Sequence, residues 1–178
     1  MKQLVYFSGK IKELDKFLKI LSTITGKIIA FDIDNTLINV NKELQRLGYD
    51  ISSYPNPALT EDFWVYEEGI NILFNATFVT TTVKFIATFS MLNAEIVFVT
   101  SRSPKLKTFT ENWVKKYFSG FEVYFTKDKH LLDADIYVED DPRQIQKLIS
   151  LNKPILVPEW PYNQNLFKGV KNVIYYKV

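Results

Sequence analysis

Asp32-Ile33-Asp34-Asn35-Thr36 follows directly on the run Lys27-Ile28-Ile29-Ala30-Phe31, so two carboxylates and a hydroxyl arrive together at the end of a predicted buried strand. Two acids two residues apart repel when both are ionised, and loss of hydration strengthens the repulsion, so a cation or a shared proton has to compensate. The spacing suits a metal-assisted site in which the first carboxylate is nucleophile and metal ligand while the second donates and recovers a proton. The same residues also suit a plain Asx-type turn that closes a strand. Their companions elsewhere in the chain separate the two readings.

Three other segments carry the polar groups that phosphoryl chemistry needs. Thr100-Ser101-Arg102 follows the apolar stretch Glu95 to Val99, Thr126-Lys127-Asp128-Lys129 follows Phe121 to Phe125, and Glu139-Asp140-Asp141-Pro142 follows Asp135 to Val138. A phosphate monoester is dianionic and repels an attacking carboxylate. Hydrolysis therefore calls for Mg²⁺ and a lysine to neutralise charge, and for hydroxyl or amide donors to hold the phosphoryl oxygens. Each piece alone has an ordinary explanation: a strand-to-helix cap for Thr100-Ser101, a solvated lysine for Lys129, helix N-terminal charges for Glu139-Asp140-Asp141. Acid, hydroxyl, lysine and acid at four successive strand ends rarely arise from structure alone. In an open α/β sheet ligands bind beyond the carboxyl ends of the strands, so the four ends are expected to converge.

The elements that would position these residues alternate between strand and helix. Strands are expected over 27–31, 95–99, 121–125, 135–138 and 155–157, with a last one over 172–176 at a sheet edge. Helices open at Ser103-Pro104 and run through Phe118, and at Asp141-Pro142 and run through Leu151. Residues 78–92 read as a helix, and residues 10–22 have helical spacing with Ile11, Leu14, Phe17, Leu18 and Leu21 on one face. The alternation predicts an α/β fold built on a parallel sheet. It fails from Asn39 to Ala76, where Tyr49, Tyr54, Pro55, Pro57, Phe63, Trp64 and Tyr66 bring turn formers and aromatics. Residues 39–77 are therefore expected to form a small cap inserted over the strand ends, with 1–38 and 78–178 as the core domain.

Composition narrows the chemistry. A chain of 178 residues, 47% apolar and 15% aromatic, suits one globular domain with a small insertion. Net charge is only +2 and Lys and Arg are scattered, which gives no footprint for extended nucleic-acid or membrane binding and leaves a small anionic substrate as the expected partner. The N-terminal apolar stretch is too short for a signal peptide and no segment approaches a membrane span, so a cytoplasmic protein is expected. With no cysteine and one histidine, cysteine nucleophiles, thiolate metal sites, disulfides and a two-histidine phosphatase mechanism are excluded.

In their order the motifs resemble the haloacid dehalogenase superfamily of phosphohydrolases, with Asp32 to Thr36 as the first motif, Phe98-Val99-Thr100-Ser101 as the second, Lys129 as the third and Glu139-Asp140 as the fourth. The resemblance implies a Rossmann-like three-layer sheet, Mg²⁺ and an aspartyl-phosphate intermediate, and an insertion between the first two motifs resembles the small helical cap type. A narrower resemblance is to the 5'(3')-deoxyribonucleotidases. Thr126-Lys127-Asp128-Lys129 followed by Leu131 to Asp140 is similar to that family's stretch, with Ala134 in place of a usual Gly and Lys129 rather than Lys127 at the lysine position. Pro161-Tyr162-Asn163 resembles a stretch of bacterial members, and Phe63-Trp64-Val65 the aromatic run lining the base and sugar pocket. Arg102 stands where the family has Pro, and 26 residues precede the first strand.

The resemblance implies roles. Asp32 would attack phosphorus, and Asp34 would protonate the leaving alcohol and later activate water. Mg²⁺ would be held by the Asp32 carboxylate, the Asp34 backbone carbonyl and Asp140, with Glu139 beside them. Thr100, Ser101 and Lys129 would hold phosphoryl oxygens. Arg102 would reach a substrate phosphate or stand in solvent, Thr36 would order the turn or support Asp34, and Asp141 would cap the helix begun by Pro142. The expected substrate is a nucleoside or deoxynucleoside monophosphate. The rival readings are a phosphatase for another small phosphomonoester, such as a sugar phosphate, and a binding module that has lost turnover.

Overall fold

The structure, a computed structural model, describes residues 6–178. Residues 1–5, part of the expected core stretch 1–38, lie outside the described residues. Six strands form one sheet: β1 (Ile28–Asp32), β4 (Glu95–Thr100), β5 (Glu122–Phe125), β6 (Ile136–Val138), β7 (Ile155–Pro158) and β8 (Val173–Tyr176), in the order β5-β4-β1-β6-β7-β8. Every pairing in it is parallel. Counted in chain order, the six run 3-2-1-4-5-6, a Rossmann-like arrangement whose order reverses between β1 and β6. Phe31 pairs with Val138, so the residues that follow, Asp32 and Glu139, leave the sheet side by side at the reversal.

Alternation along the strands feeds two apolar layers. Ile29, Phe31, Phe98 and Val138 join one core with Phe17 and Ile20 of α1 (Leu14–Leu21) and with Phe85 and Phe89 of α4 (Thr80–Met91). Ala30, Val97, Tyr137 and Val157 join the other with Ile145 and Leu148 of α6 (Pro142–Ile149). The remaining large core helix, α5 (Lys107–Tyr117), follows a short 3-10 turn (Pro104–Leu106) that Ser103 caps by accepting the Lys105 N–H. The molecule is thus a three-layer α/β fold. Among the described residues no helix is long and apolar enough to cross a membrane.

The expected helix over 10–22 needs correction. It runs only from Leu14 to Leu21 and buries Phe17 and Ile20, while Leu18 is 39% exposed. Ile11 instead bridges Tyr176 in antiparallel fashion, with Lys12 N–H donating to the Tyr175 carbonyl at 3.0 Å and Lys177 N–H to the Lys10 carbonyl at 2.8 Å. The segment covers the free edge of β8, and that pairing competes with helix for the same backbone groups.

Between β1 and β4 the chain leaves the sheet through an antiparallel pair, β2 (Ile38–Asn39) with β3 (Thr77–Phe78). The stretch between them holds α2 (Val40–Arg46), a 3-10 turn (Phe63–Val65) and α3 (Glu67–Asn75). Asn39 caps α2 by accepting the Lys42 N–H at 2.8 Å. The turn carrying Trp64 sits so tightly on α3 that a Cβ at Gly69 would lie 2.3 Å from the Phe63 carbonyl oxygen and 2.6 Å from the Trp64 Cα. Both obstacles are backbone. Gly69→Ala should therefore push the turn off α3 and destabilise the protein by about 1–3 kcal/mol, readable as a lowered melting temperature. An unchanged melting temperature would show that the turn moves freely.

Candidate active site

The first motif is built by a turn that the backbone itself closes. Leu37 and Ile38 N–H both donate to the Ile33 carbonyl, at 2.8 and 3.0 Å, which folds the chain back immediately after Asp32. Asn35 takes the left-handed conformation, φ 58°, that Asn tolerates better than most residues. Its side chain accepts the Asn41 N–H at 2.8 Å and its carbonyl accepts the Trp160 indole N–H at 2.7 Å, so the turn is fixed from both sides. Ile33 is driven into the core, and Asp32 and Asp34 line the cavity above the sheet.

The loops after β4 and β5 are laced together. Thr126 N–H donates to the Thr100 carbonyl at 2.9 Å, and the Ser101 hydroxyl to the Thr126 carbonyl at 3.3 Å. The Gln144 amide of α6 donates to the Lys127 carbonyl at 3.0 Å. This lacing carries Lys129, on a 3-10 turn (Lys129–Leu131), into the crevice between β1 and β6. There its ammonium donates to the Asp32 carboxylate and, at 2.7 Å, to Glu139. All three side chains are buried. Lys127, two residues earlier, is exposed and pairs with Glu61 at 3.2 Å.

Glu139 is engaged on both oxygens: the second accepts the Asp140 and Asp141 N–H groups at 3.2 and 3.0 Å. Asp140 accepts the Thr36 hydroxyl at 3.0 Å on one oxygen and the Tyr162 hydroxyl on the other, while the Asn163 amide donates to its carbonyl at 2.9 Å. Asp141 caps α6 through the Arg143 N–H at 2.8 Å. Carboxylate oxygens of Asp32, Glu139 and Asp140 lie within 4.8 Å of one another. A cavity of about 570 Å³ opens above them, lined by Asp34, Thr100, Ser101 and Lys129 from the core and by Tyr54 and Trp64 from the inserted stretch.

Electrostatics make this an acid-rich site. Burial raises the Asp32 carboxyl above its ordinary value, opposed by Lys129 and reinforced by the charge of Asp34. Burial likewise pushes Glu139 up to about 8 and Asp140 well above the usual range. Burial disfavours the Lys129 ammonium, but Asp32 and Glu139 outweigh it and the proton is held more tightly than usual. Counting Asp34 and its partner Arg102, four carboxylates face two cations, so that with every group ionised the site carries a surplus of two negative charges. An all-oxygen donor set with that surplus fits a hard divalent cation.

Several residues sit differently from expectation. Arg102 does not stand in solvent: its side chain is 4% exposed and its guanidinium forks onto Asp34 at 2.7 and 2.8 Å. Thr36 supports Asp140 rather than Asp34, because the fold-back of the turn brings it under β6. Of the aromatic run only Trp64 lines the cavity; Phe63 packs edge-on against Tyr49, and Val65 packs on the apolar core. Tyr162, Asn163 and Trp160 hold the site together without having been assigned any role from sequence. Their only signal was the Pro-Tyr-Asn stretch itself.

Residues 26–173 match the family model of the 5' nucleotidase, deoxy (pyrimidine), cytosolic type C proteins. The chain belongs to this family. It is a phosphatase of the haloacid dehalogenase type. No curated protein matches the chain. The solved structures that resemble it include a Had-superfamily hydrolase from Ehrlichia chaffeensis, 14% identical over 76% of this chain and 89% of that one with a TM-score of 0.42, and a haloacid dehalogenase-like hydrolase from Streptococcus pneumoniae, 13% identical over 80% and 89% with a TM-score of 0.48.

The raised carboxyls give a stability test of the nucleotidase-family site. Between the ordinary value of 4.5 and about 8, folded Glu139 keeps a proton that the unfolded chain releases, so stability falls as pH rises across that window. Asp32 and Asp140 add slope of the same sign, and Lys129, whose ordinary value is 10.5, adds none there. In EDTA the melting temperature should fall from about pH 5 to about pH 8, and added Mg²⁺ should raise it more at the higher pH. A pH-independent response to Mg²⁺ would remove these carboxylates from cation binding.

Proposed function

We propose that the protein is a Mg²⁺-dependent phosphomonoester hydrolase that works through an aspartyl phosphate and acts on nucleoside and deoxynucleoside monophosphates. The observation that carries this reading is Asp32 on the end of β1, paired with buried Lys129 and gathered with Glu139 and Asp140 beneath a cavity open to a small molecule. The family match supports the nucleotide as substrate.

In this reading Asp32 attacks phosphorus in line, and the bond from phosphorus to the ester oxygen breaks. That oxygen leaves with a proton from Asp34. A water oxygen then attacks the same phosphorus, the acyl phosphate bond returns its electrons to Asp32, and Asp34 takes the water's proton. Lys129 holds Asp32 and offsets charge on the phosphoryl oxygens, with Thr100 and Ser101 as further holders at the second strand end. Mg²⁺, held by Asp32 and Asp140 with Glu139 and the Asp34 backbone carbonyl alongside, supplies charge neutralisation for nucleophile and phosphate. Residues 39–77 form the lid, and Trp64 is the surface on which a base stacks.

Asp32→Asn should abolish phosphate release while the protein stays folded, since amide and carboxylate are nearly isosteric; turnover in that variant refutes the covalent route. Exhaustive chelation should silence the enzyme and Mg²⁺ restore it. Stacking a base on an aromatic ring contributes about 1–3 kcal/mol, so Trp64→Ala should raise KM for a nucleotide roughly tenfold and leave KM for 4-nitrophenyl phosphate within about twofold. Equal effects on both substrates would point to a generic small phosphomonoester instead.

A further inference from the structure

Arg102 lines the cavity beside Asp34, and the proposed reaction leaves it without a task. Its placement is specific. Nε and Nη2 donate to the two oxygens of Asp34 at 2.8 and 2.7 Å, and Nη1 donates to the Thr110 hydroxyl at 2.9 Å. Thr110 is fully buried on α5. The guanidinium is thus tied on both edges, with a side chain only 4% exposed, and a substrate phosphate could reach it only by displacing partners already in good geometry. Nor is added stability a sufficient reason for the pair, because the cost of desolvating a buried ion offsets most of its Coulomb gain.

Asp34 explains the arrangement. Its side chain is 32% exposed and it stands two residues from Asp32, whose charge it repels. Without a partner, repulsion on one side and hydration on the other would draw the carboxylate outward, away from Asp32. The fork of Arg102 fixes both of its oxygens.

We propose that Arg102 is the positioning residue of Asp34, holding that carboxylate where it takes the proton of the water that hydrolyses the phosphate on Asp32. This rests on the proposed function. In the step concerned the water oxygen bonds to phosphorus, the phosphorus bond to Asp32 breaks with its electron pair returning to Asp32, and the water proton passes to Asp34. A misplacement of about 1 Å in such a group costs on the order of a hundredfold in rate.

4-Nitrophenyl phosphate isolates the step, because its leaving group departs without a proton donor. In Arg102→Met, kcat should fall about tenfold or more with KM falling in parallel, so that kcat/KM changes far less. Mixing should give a burst of 4-nitrophenolate, and acid quenching of labelled substrate should trap phosphate on the protein. Arg102→Lys should recover little, since an ammonium lacks the fork. A raised KM with kcat preserved would make Arg102 a phosphate ligand and overturn the inference. A tenfold loss that recurs when Arg102→Met is placed on Asp34→Asn would overturn it too, because a group acting through Asp34 has nothing left to act on. Should Arg102→Met not fold, Thr110→Val loosens the same clamp from behind and must show the same split in smaller measure, or the inference fails. Wild-type protein that releases no phosphate from any substrate defeats the proposed function itself, and the inference with it.

Discussion

The buried ammonium of Lys129 is the group on which the rest of the site depends. It lies between Asp32 and Glu139 with all three side chains out of water, and so joins the ends of β1 and β6 to the loop after β5. A buried ion pair is a poor source of stability, but breaking one by removing a partner costs about 3–5 kcal/mol, since the charge left behind has neither water nor a counterion. Here removal of Lys129 would leave two buried acids without a counterion at once, with Asp140 beside them. The loop after β5 has to be rigid for this reason, and its lacing to Thr100, Ser101 and Gln144 makes it so. Charge at the centre thus accounts for hydrogen bonding at the periphery.

The same logic divides the acids by their partners. Glu139 accepts from Lys129 on one oxygen and from two backbone N–H groups on the other, which makes it an organiser of the β6 end. Asp140 is held by hydroxyls, from Thr36 and Tyr162, which orient a carboxylate without neutralising it. Asp32 has an ammonium and Asp34 a guanidinium. An ammonium is a compact point charge that leaves one carboxylate oxygen free, while a planar fork occupies both oxygens and fixes their plane. In the proposed reaction a nucleophile is served by the first kind of partner and a proton acceptor held at a set angle by the second.

Much of this was legible in the sequence because it follows from local patterns. Strand runs closed by polar residues gave six strands to within a residue or two, and the sheet order then brings four strand ends to one crevice. What was not legible depends on contacts between distant segments. Helical spacing over residues 10–22 concealed the pairing of Ile11 with the edge of β8, since backbone pairing leaves no periodicity. Arg102 read as a phosphate contact or a solvated residue because nothing local announces Asp34 and Thr110 as its partners. Thr36 was tied to Asp34 by proximity in the chain, whereas a turn folding back on Ile33 carries it to Asp140. Adjacent aromatics in the inserted stretch look alike in sequence, and only packing separates Trp64, at the cavity, from Phe63, against Tyr49.

Beside the packing of Val40, Leu44, Ile72 and Leu73 into the first apolar layer, the inserted stretch meets the core through two further kinds of contact of unequal weight. Glu61 with Lys127 and Asp62 with Lys105 are ion pairs between side chains that are all more than half exposed, and such pairs contribute at most about 1 kcal/mol each. Salt weakens them further. The other contact is the ring of Tyr54 lying 5.0 Å from that of Tyr162, with the Arg143 guanidinium 5.2 Å from Tyr54 on the core side. Tyr162 is the residue whose hydroxyl holds Asp140. The inserted stretch therefore reaches the acid cluster through one intermediate ring, and that ordered contact, with the apolar packing, outweighs the surface charges in registering its position over the cavity.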